Sequence, residues 1–256
     1  MMMSLLLALA TNLSLLVHYS ERPPYAARQP GDSEPVGLTA TPLRQAAAAA
    51  GIRLQWIETP EERQLALLKA NQQPFCGLGW FYRPQRLQLG RYSKALHQDG
   101  PQVVVARRDH PQLTGAISLE QLLSNPKLLM LRRSGYSYGA EADRLLTLHQ
   151  TPYFTVSSPQ QALGIMLAGG RGDYLLTNAE EGQWLIDDQS AGPRLQLLAL
   201  KDGSPGETRH LLCSFATDPA LLHRLDLQLP ANLPAPRSPL ASPASAEQPP
   251  PPRLNP

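Results

Sequence analysis

Gly135-Tyr136-Ser137-Tyr138-Gly139 is the segment of this 256-residue chain whose spacing most directly fits a known chemistry. A G-x-S-x-G run presents a serine hydroxyl on a sharp strand-to-helix turn, and a hydrolase built on it needs an acid and a histidine downstream. Asp173 or Asp187 with His210 or His223 are the available partners. Three features count against them. The apolar strand read at residues 128–131 leaves Arg132, Arg133 and Ser134 ahead of Gly135, whereas an elbow follows its strand at once. No Gly-rich oxyanion loop follows an early strand. The two histidines fall in a strand and a helix rather than in a late loop. A serine hydrolase is the alternative reading, not the first.

The remaining motifs are weaker. Gly77-Leu78-Gly79 follows a strand but lacks the third glycine of a dinucleotide loop and any helix directly after it. The six histidines, at 18, 97, 110, 149, 210 and 223, show no metal-ligand spacing and read as surface or boundary residues. Neither a cofactor nor a metal is expected. What stands out is a recognition chemistry, in which basic and aromatic residues gather just past the ends of apolar strands. Arg22 and Tyr25 follow the first strand, which ends at Tyr19; Trp80, Phe81, Tyr82 and Arg86 follow the third; Arg133, Tyr136 and Tyr138 come later. Ligands of open α/β sheets bind beyond the carboxyl ends of the strands. Arginine offers a planar fork for carboxylates, and aromatic walls supply apolar contact.

Alternating strands and helices must position these groups. Residues 13–19 read as a strand, 41–50 as a helix closed by Gly51, and 52–57 as a strand. Thr59-Pro60-Glu61-Glu62 has the spacing of a capping box and opens a helix to Ala70. Residues 75–79 form a short strand. A second series follows, with strands at 102–106, 128–131, 153–156 and 173–177 and helices at 118–123, 140–148 and 158–168. Strands at 195–200 and 210–215 and a helix capped by Thr217-Asp218-Pro219 complete it. Such alternation predicts parallel sheets covered on both faces, and two series of similar length predict two α/β lobes.

Composition sets the outer limits. The chain is 42 % hydrophobic, enough for a real core, but only 17 % charged with a formal net charge of +2, so no field is available to hold nucleic acid. Two cysteines exclude a disulfide-dense scaffold and a four-cysteine zinc site. Residues 1–12 form a signal-like segment in which Leu5–Ala10 resembles the apolar core and Ala8-Leu9-Ala10 a cleavage pattern, yet no positive residue precedes that core; a membrane anchor is the second choice. From Pro230 to Pro256 ten of 27 residues are proline, which predicts a disordered tail.

The ordered set of segments between the ends resembles the type II periplasmic solute-binding proteins, specifically the amino-acid-type extracellular family three. The resemblance rests on Val17-His18-Tyr19-Ser20-Glu21-Arg22-Pro23-Pro24-Tyr25, on Gly37-Leu38, and on the helix of residues 60–70. It continues through residues 76–79, Arg83-Pro84-Gln85-Arg86, Tyr92-Ser93, Arg133-Ser134-Gly135-Tyr136-Ser137 and Gly170-Arg171-Gly172-Asp173. It spans residues 13 to 228.

That resemblance implies two lobes, 13–101 with 210–229 and 102–209, joined by two crossing strands near 100–103 and 207–213. It implies closure on a small polar or carboxylate-bearing solute rather than catalysis. Arg86 would pair with the ligand carboxylate, and Arg133, Ser134, Tyr136 and Ser137 would surround it. Asn178 stands where the family has an acid for the ligand's ammonium, with Glu180 and Glu181 just beyond it, a departure that argues against an α-amino acid and leaves a carboxylate or polar organic solute. An ABC-type permease or a sensor is the implied partner, and a periplasmic monomer the implied state. A regulator of the same fold would need a DNA-binding motif ahead of Leu13, for which no room is expected. The resemblance also places Cys76 beside Cys213, on neighbouring strands of the first lobe, as a disulfide candidate.

Overall fold

The computed structural model describes residues 13–157, 160–203 and 205–233. The leader-like residues 1–12, the Ser158-Pro159 cap and most of the Pro-rich tail lie outside them. The first half of the described chain runs β1 (Leu13–Tyr19), α1 (Ala40–Ala50), β2 (Ile52–Glu58), α2 (Glu61–Ala70), β3 (Cys76–Phe81) and β4 (Arg91–Gln98). The second half runs β5 (Gln102–Arg107), α3 (Leu119–Leu123), β6 (Met130–Arg133), α4 (Ala140–Leu148), β7 (Tyr153–Val156), α5 (Gln160–Ala168), β8 (Tyr174–Asn178), α6 (Ala179–Asp187) and β9 (Leu195–Ala199). The chain then returns through β10 (Thr208–Cys213) and α7 (Pro219–Asp226).

Two five-stranded sheets result, ordered β2-β1-β3-β10-β4 and β7-β6-β8-β5-β9. They are mixed, not parallel as the alternation predicts. β1 pairs parallel with β2 and β3, and β6 with β7 and β8, but β10 and β5 run antiparallel to both their neighbours. The cause is the crossing of the chain. A strand arriving from the other lobe enters its sheet at the cleft edge, where the parallel strands end, and must run against them.

Burial alternates along these strands because successive side chains point to opposite faces. Leu211 joins the core under α1 and α7, while Leu212 joins that under α2 with Leu68 and Phe75. Likewise Val104 packs with α3 and α4, and Val105 with α5 and α6. Both sheets are therefore covered on both faces.

Local signals hold in part. Gly51 closes α1 at φ 67°, donating to the carbonyls of Ala47 and Ala48. Ser118 forms a full capping box with Gln121, and the Asp218 side chain caps α7 through the Ala220 amide. The Thr59 capping box does not form. Pro60 occupies the cap position, and the Thr59 hydroxyl instead meets His18 Nδ1 at 2.8 Å. β6 lies two residues later than the apolar run indicates, because Arg132 and Arg133 continue the pairing with β7. His18 and His110 are buried rather than at the surface. The sequence reading misses β4, an edge strand of mixed polarity, and α6, which starts directly after β8 without a side-chain cap.

Cys76 and Cys213 lie opposite each other in the register of β3 and β10 and are joined by a disulfide across 137 residues, with Cα atoms 3.9 Å apart. The pairing is antiparallel.

Candidate functional site

The carboxyl ends of β1, β3, β6 and β8 converge where the two sheets face one another, and a cleft is lined by residues just beyond them and by their last residues: Tyr19 ends β1, and Trp80 and Phe81 end β3 rather than following it as expected. Its inner chamber, of about 50 Å³, is bounded by Tyr19, Arg22, Tyr25, Trp80, Phe81 and Arg86 from one side and Gly135, Tyr136 and Ser137 from the other, with Arg209 at its back. An outer groove of about 660 Å³ shares Arg86, Gly135, Tyr136 and Ser137 and continues past Arg132 to Tyr153. Of the thirteen recognition residues named from the sequence, eight thus meet in one chamber, while Tyr82 and Tyr138 do not line it. Arg133 and Ser134 line an adjoining recess with Glu58, Glu61 and Glu62. Asn178 lies deeper, its amide donating to Asp99.

The turn after β6 is built for close approach. Gly135 sits at φ 70°, and a Cβ there would come within 2.9 Å of Glu62 Cγ on α2. Only glycine combines that conformation with that contact. Beside it the Ser134 hydroxyl donates to Glu62, joining the lobes. Ser137 Oγ donates to Asp143 Oδ2 at 2.5 Å and accepts from Arg83 Nη2 at 3.2 Å. Because β6 extends to Arg133, the turn follows its strand more closely than the apolar run indicates. Among the described residues no histidine is hydrogen-bonded to Ser137, however. His210 is bound to Ser93 O and Thr208 Oγ1, and Asp173 is bound to His110.

Three guanidiniums reach the chamber, and their electrostatics differ. Arg209, on β10, lies between the rings of Tyr25 (3.8 Å) and Phe81 (4.4 Å) and is bound to fully buried Asp99 by Nε and Nη2, both at 2.7 Å. Arg22 lies between Tyr25 and Tyr136 and forks onto Glu181, with Nε–Oε1 2.7 Å and Nη2–Oε2 2.6 Å. Burial alone would raise the Glu181 carboxyl, but the Arg22 charge, its hydrogen bonds and the Thr177 hydroxyl hold it at about 2. Arg86 stacks on Trp80 at 4.8 Å and donates to Phe81 O at 3.3 Å. No carboxylate lies within ion-pair distance of it among the described residues. Burial lowers its pKa, only partly offset by Tyr92.

The sequence reading misses Arg209 and Asp99, and places Glu181 only as lying just beyond Asn178. Arg209 and Asp99 flank the two crossings between lobes, and Glu181 sits in the first turn of the unforeseen α6. A basic residue beside a cysteine-bearing apolar strand was the one available signal. Among the described residues no group of three or more histidine, cysteine or acidic side chains is placed to hold a metal.

No family model matches this chain, and no curated protein matches it. Solved structures do. An ancestral arginine-binding protein bound to glutamine superposes with a TM-score of 0.66 at 14 % identity, over 84 % of this chain and 90 % of that one. The arginine-binding protein of T. maritima in its holo form gives 0.66 at 16 % identity, over 84 % and 88 %. The substrate-binding protein of an amino acid ABC transporter gives 0.64 at 15 %, over 84 % and 91 %. An ancestral amino-acid-binding protein described as a precursor of cyclohexadienyl dehydratase gives 0.65 at 15 %, over 84 % and 87 %. Likeness at this level of identity is one of backbone, and it establishes that the chain has the two-lobe α/β fold of the periplasmic binding proteins.

Proposed function

We propose that this protein binds a small carboxylate-bearing organic solute by closing two lobes around it, 13–101 with 208–229 and 102–207, the expected boundary at 209/210 moving because β10 begins at Thr208 in the first sheet. The observation that carries the reading is Arg86, a guanidinium in a largely apolar chamber with no acid of its own beside two that have one. An unbalanced, partly desolvated cation of that geometry favours a carboxylate held by both arms of its fork. Arg133, Ser134, Tyr136, Ser137 and Asn178, reaching the cleft from the opposite side, are proposed as the residues that complete the contact. Closure follows from preferential affinity for the arrangement in which both sides touch the ligand. The neighbours in fold, which bind amino acids or serve an ABC transporter, support delivery to such a permease or to a sensor. The disulfide supports an oxidising compartment such as the periplasm.

We propose a binding role and no catalysis. The lineage holds a precursor of an enzyme, but Ser137 here has an arginine and an aspartate for neighbours and no histidine. Thermal denaturation against a panel of small carboxylates tests the reading. At one hundred times its dissociation constant, a cognate solute stabilises by about 2.7 kcal/mol, which for a chain of this size raises the melting temperature by roughly 5–10 °C. Arg86→Ala should abolish that shift and leave the unliganded melt nearly unchanged. An undiminished shift in the variant would refute the role given to Arg86.

A further inference from the structure

The two acids buried at the cleft, Asp99 and Glu181, are each held by an arginine. Glu181 matters more for recognition, because it belongs to one lobe and its partner Arg22 to the other. Both of its oxygens are engaged: Oε1 accepts from Arg22 Nε, and Oε2 accepts from Arg22 Nη2 at 2.6 Å and from the Thr177 hydroxyl at 2.5 Å. Arg22 is fixed independently of Glu181. Its backbone closes a tight turn with Tyr25 and Ala26, and its guanidinium is stacked between the rings of Tyr25 and Tyr136. It is a cation built into the wall rather than a mobile side chain.

The consequence is a charge selection. A zwitterionic solute needs one cation for its carboxylate and one anion for its ammonium. Arg86 supplies the first. For the second, Glu181 is already neutralised by Arg22, and Asn178, whose NH2 donates to Asp99, offers only a neutral carbonyl oxygen. Glu61, the remaining acid on the chamber wall, lies at its rim, where the chamber opens into the acidic recess, and is part exposed. Bringing an ammonium beside Arg86, Arg22 and Arg209, where part-exposed Glu61 is the only acid among the residues lining the chamber, costs its hydration and gains little in return.

We infer that Arg22 is a tethered surrogate for a ligand ammonium, so that the cleft selects carboxylates lacking an α-ammonium: 2-hydroxy, 2-oxo or unsubstituted organic acids. The solute class rests on the carboxylate role proposed for Arg86; the surrogate role of Arg22 does not.

The test uses the full chain. Arg22→Ala leaves Glu181 buried and unpaired and should lower the melting temperature by roughly 6–20 °C. Ethylammonium chloride, compared with sodium chloride at equal ionic strength, should recover part of that loss in Arg22→Ala. It should do nothing for the parent protein or for Arg22→Ala combined with Glu181→Gln. Matched acids differing only in a 2-hydroxy or 2-amino group supply the second arm. The parent protein should favour the hydroxy member at least tenfold, and Arg22→Ala should lose or reverse that preference. If Arg22→Ala does not fold, Arg22→Met keeps the apolar stem between the two rings and carries this arm. Equal action of ethylammonium on all three proteins, or equal affinity of the parent for both members of a pair, overturns the inference. Rescue by ethylammonium with no response to any acid upholds the surrogate role of Arg22 and sinks the reading of Arg86 instead.

Discussion

Arg209 and Arg22 lie against the same tyrosine ring, at 3.8 and 5.1 Å from the centroid of Tyr25, yet they hold different parts of the molecule together. Arg209 and Asp99 belong to the two segments by which the chain passes between lobes, and Gly206 packs so tightly on the Asp99 carbonyl, at φ 96°, that a side chain there would collide with it. Both partners of this pair sit where the chain crosses between the two sheets. Arg22 and Glu181 are 159 residues apart and face each other across the cleft, so their pair bridges it. The same chemistry therefore serves once as a structural rivet and once as a latch. What separates the two roles is placement on the fold, not strength.

Cutting the rivet is expected to have the larger effect. Asp99→Asn leaves Arg209 charged, fully buried and without its carboxylate, a change that typically costs about 3–5 kcal/mol. Urea denaturation should show the loss with and without ligand; a loss below about 1 kcal/mol would mean that the tyrosine and phenylalanine rings alone sustain the guanidinium.

The latch should answer to pH. Glu181 titrates at about 2 in the folded chain against an ordinary 4.5, so the unfolded chain takes up the proton first as pH falls. Its contribution is fully present above pH 4.5 and disappears towards pH 2, on the order of 3 kcal/mol in all. Arg22→Met combined with Glu181→Gln removes both charges, and its stability should lack that segment of the acid profile. An unchanged profile would show that other carboxylates govern acid unfolding.

The shared ring should give the smallest effect. The Tyr25 hydroxyl is buried with no hydrogen-bond partner among the described residues, whereas its ring touches both arginines. Tyr25→Phe keeps the ring and deletes an unsatisfied group, so stability should stay within about 0.5 kcal/mol or rise. A drop beyond 1 kcal/mol in calorimetry would reveal a role for the hydroxyl.

Sequence alone carried much of this molecule. Apolar alternation located most strands because side-chain period and burial are tied by backbone geometry, and Gly51, Ser118 and Asp218 marked helix ends through their own local bonding. The aromatic and basic residues past the strand ends were visible as a set because strand ends in α/β sheets converge. Resemblance in the order of motifs supplied the lobes and the Cys76–Cys213 neighbourhood. Tertiary structure decided the rest. A capping box depends on whether its threonine has a better partner, and Thr59 finds one in His18, 41 residues away. Strand direction at β5 and β10 depends on where the chain crosses, which no local pattern records. Above all, the charge of the cleft is a matter of pairing. Arg22, Arg86 and Arg209 are the same residue type in the sequence, and only the approach of Glu181 and Asp99 from distant segments leaves Arg86 as the one with charge to offer a ligand.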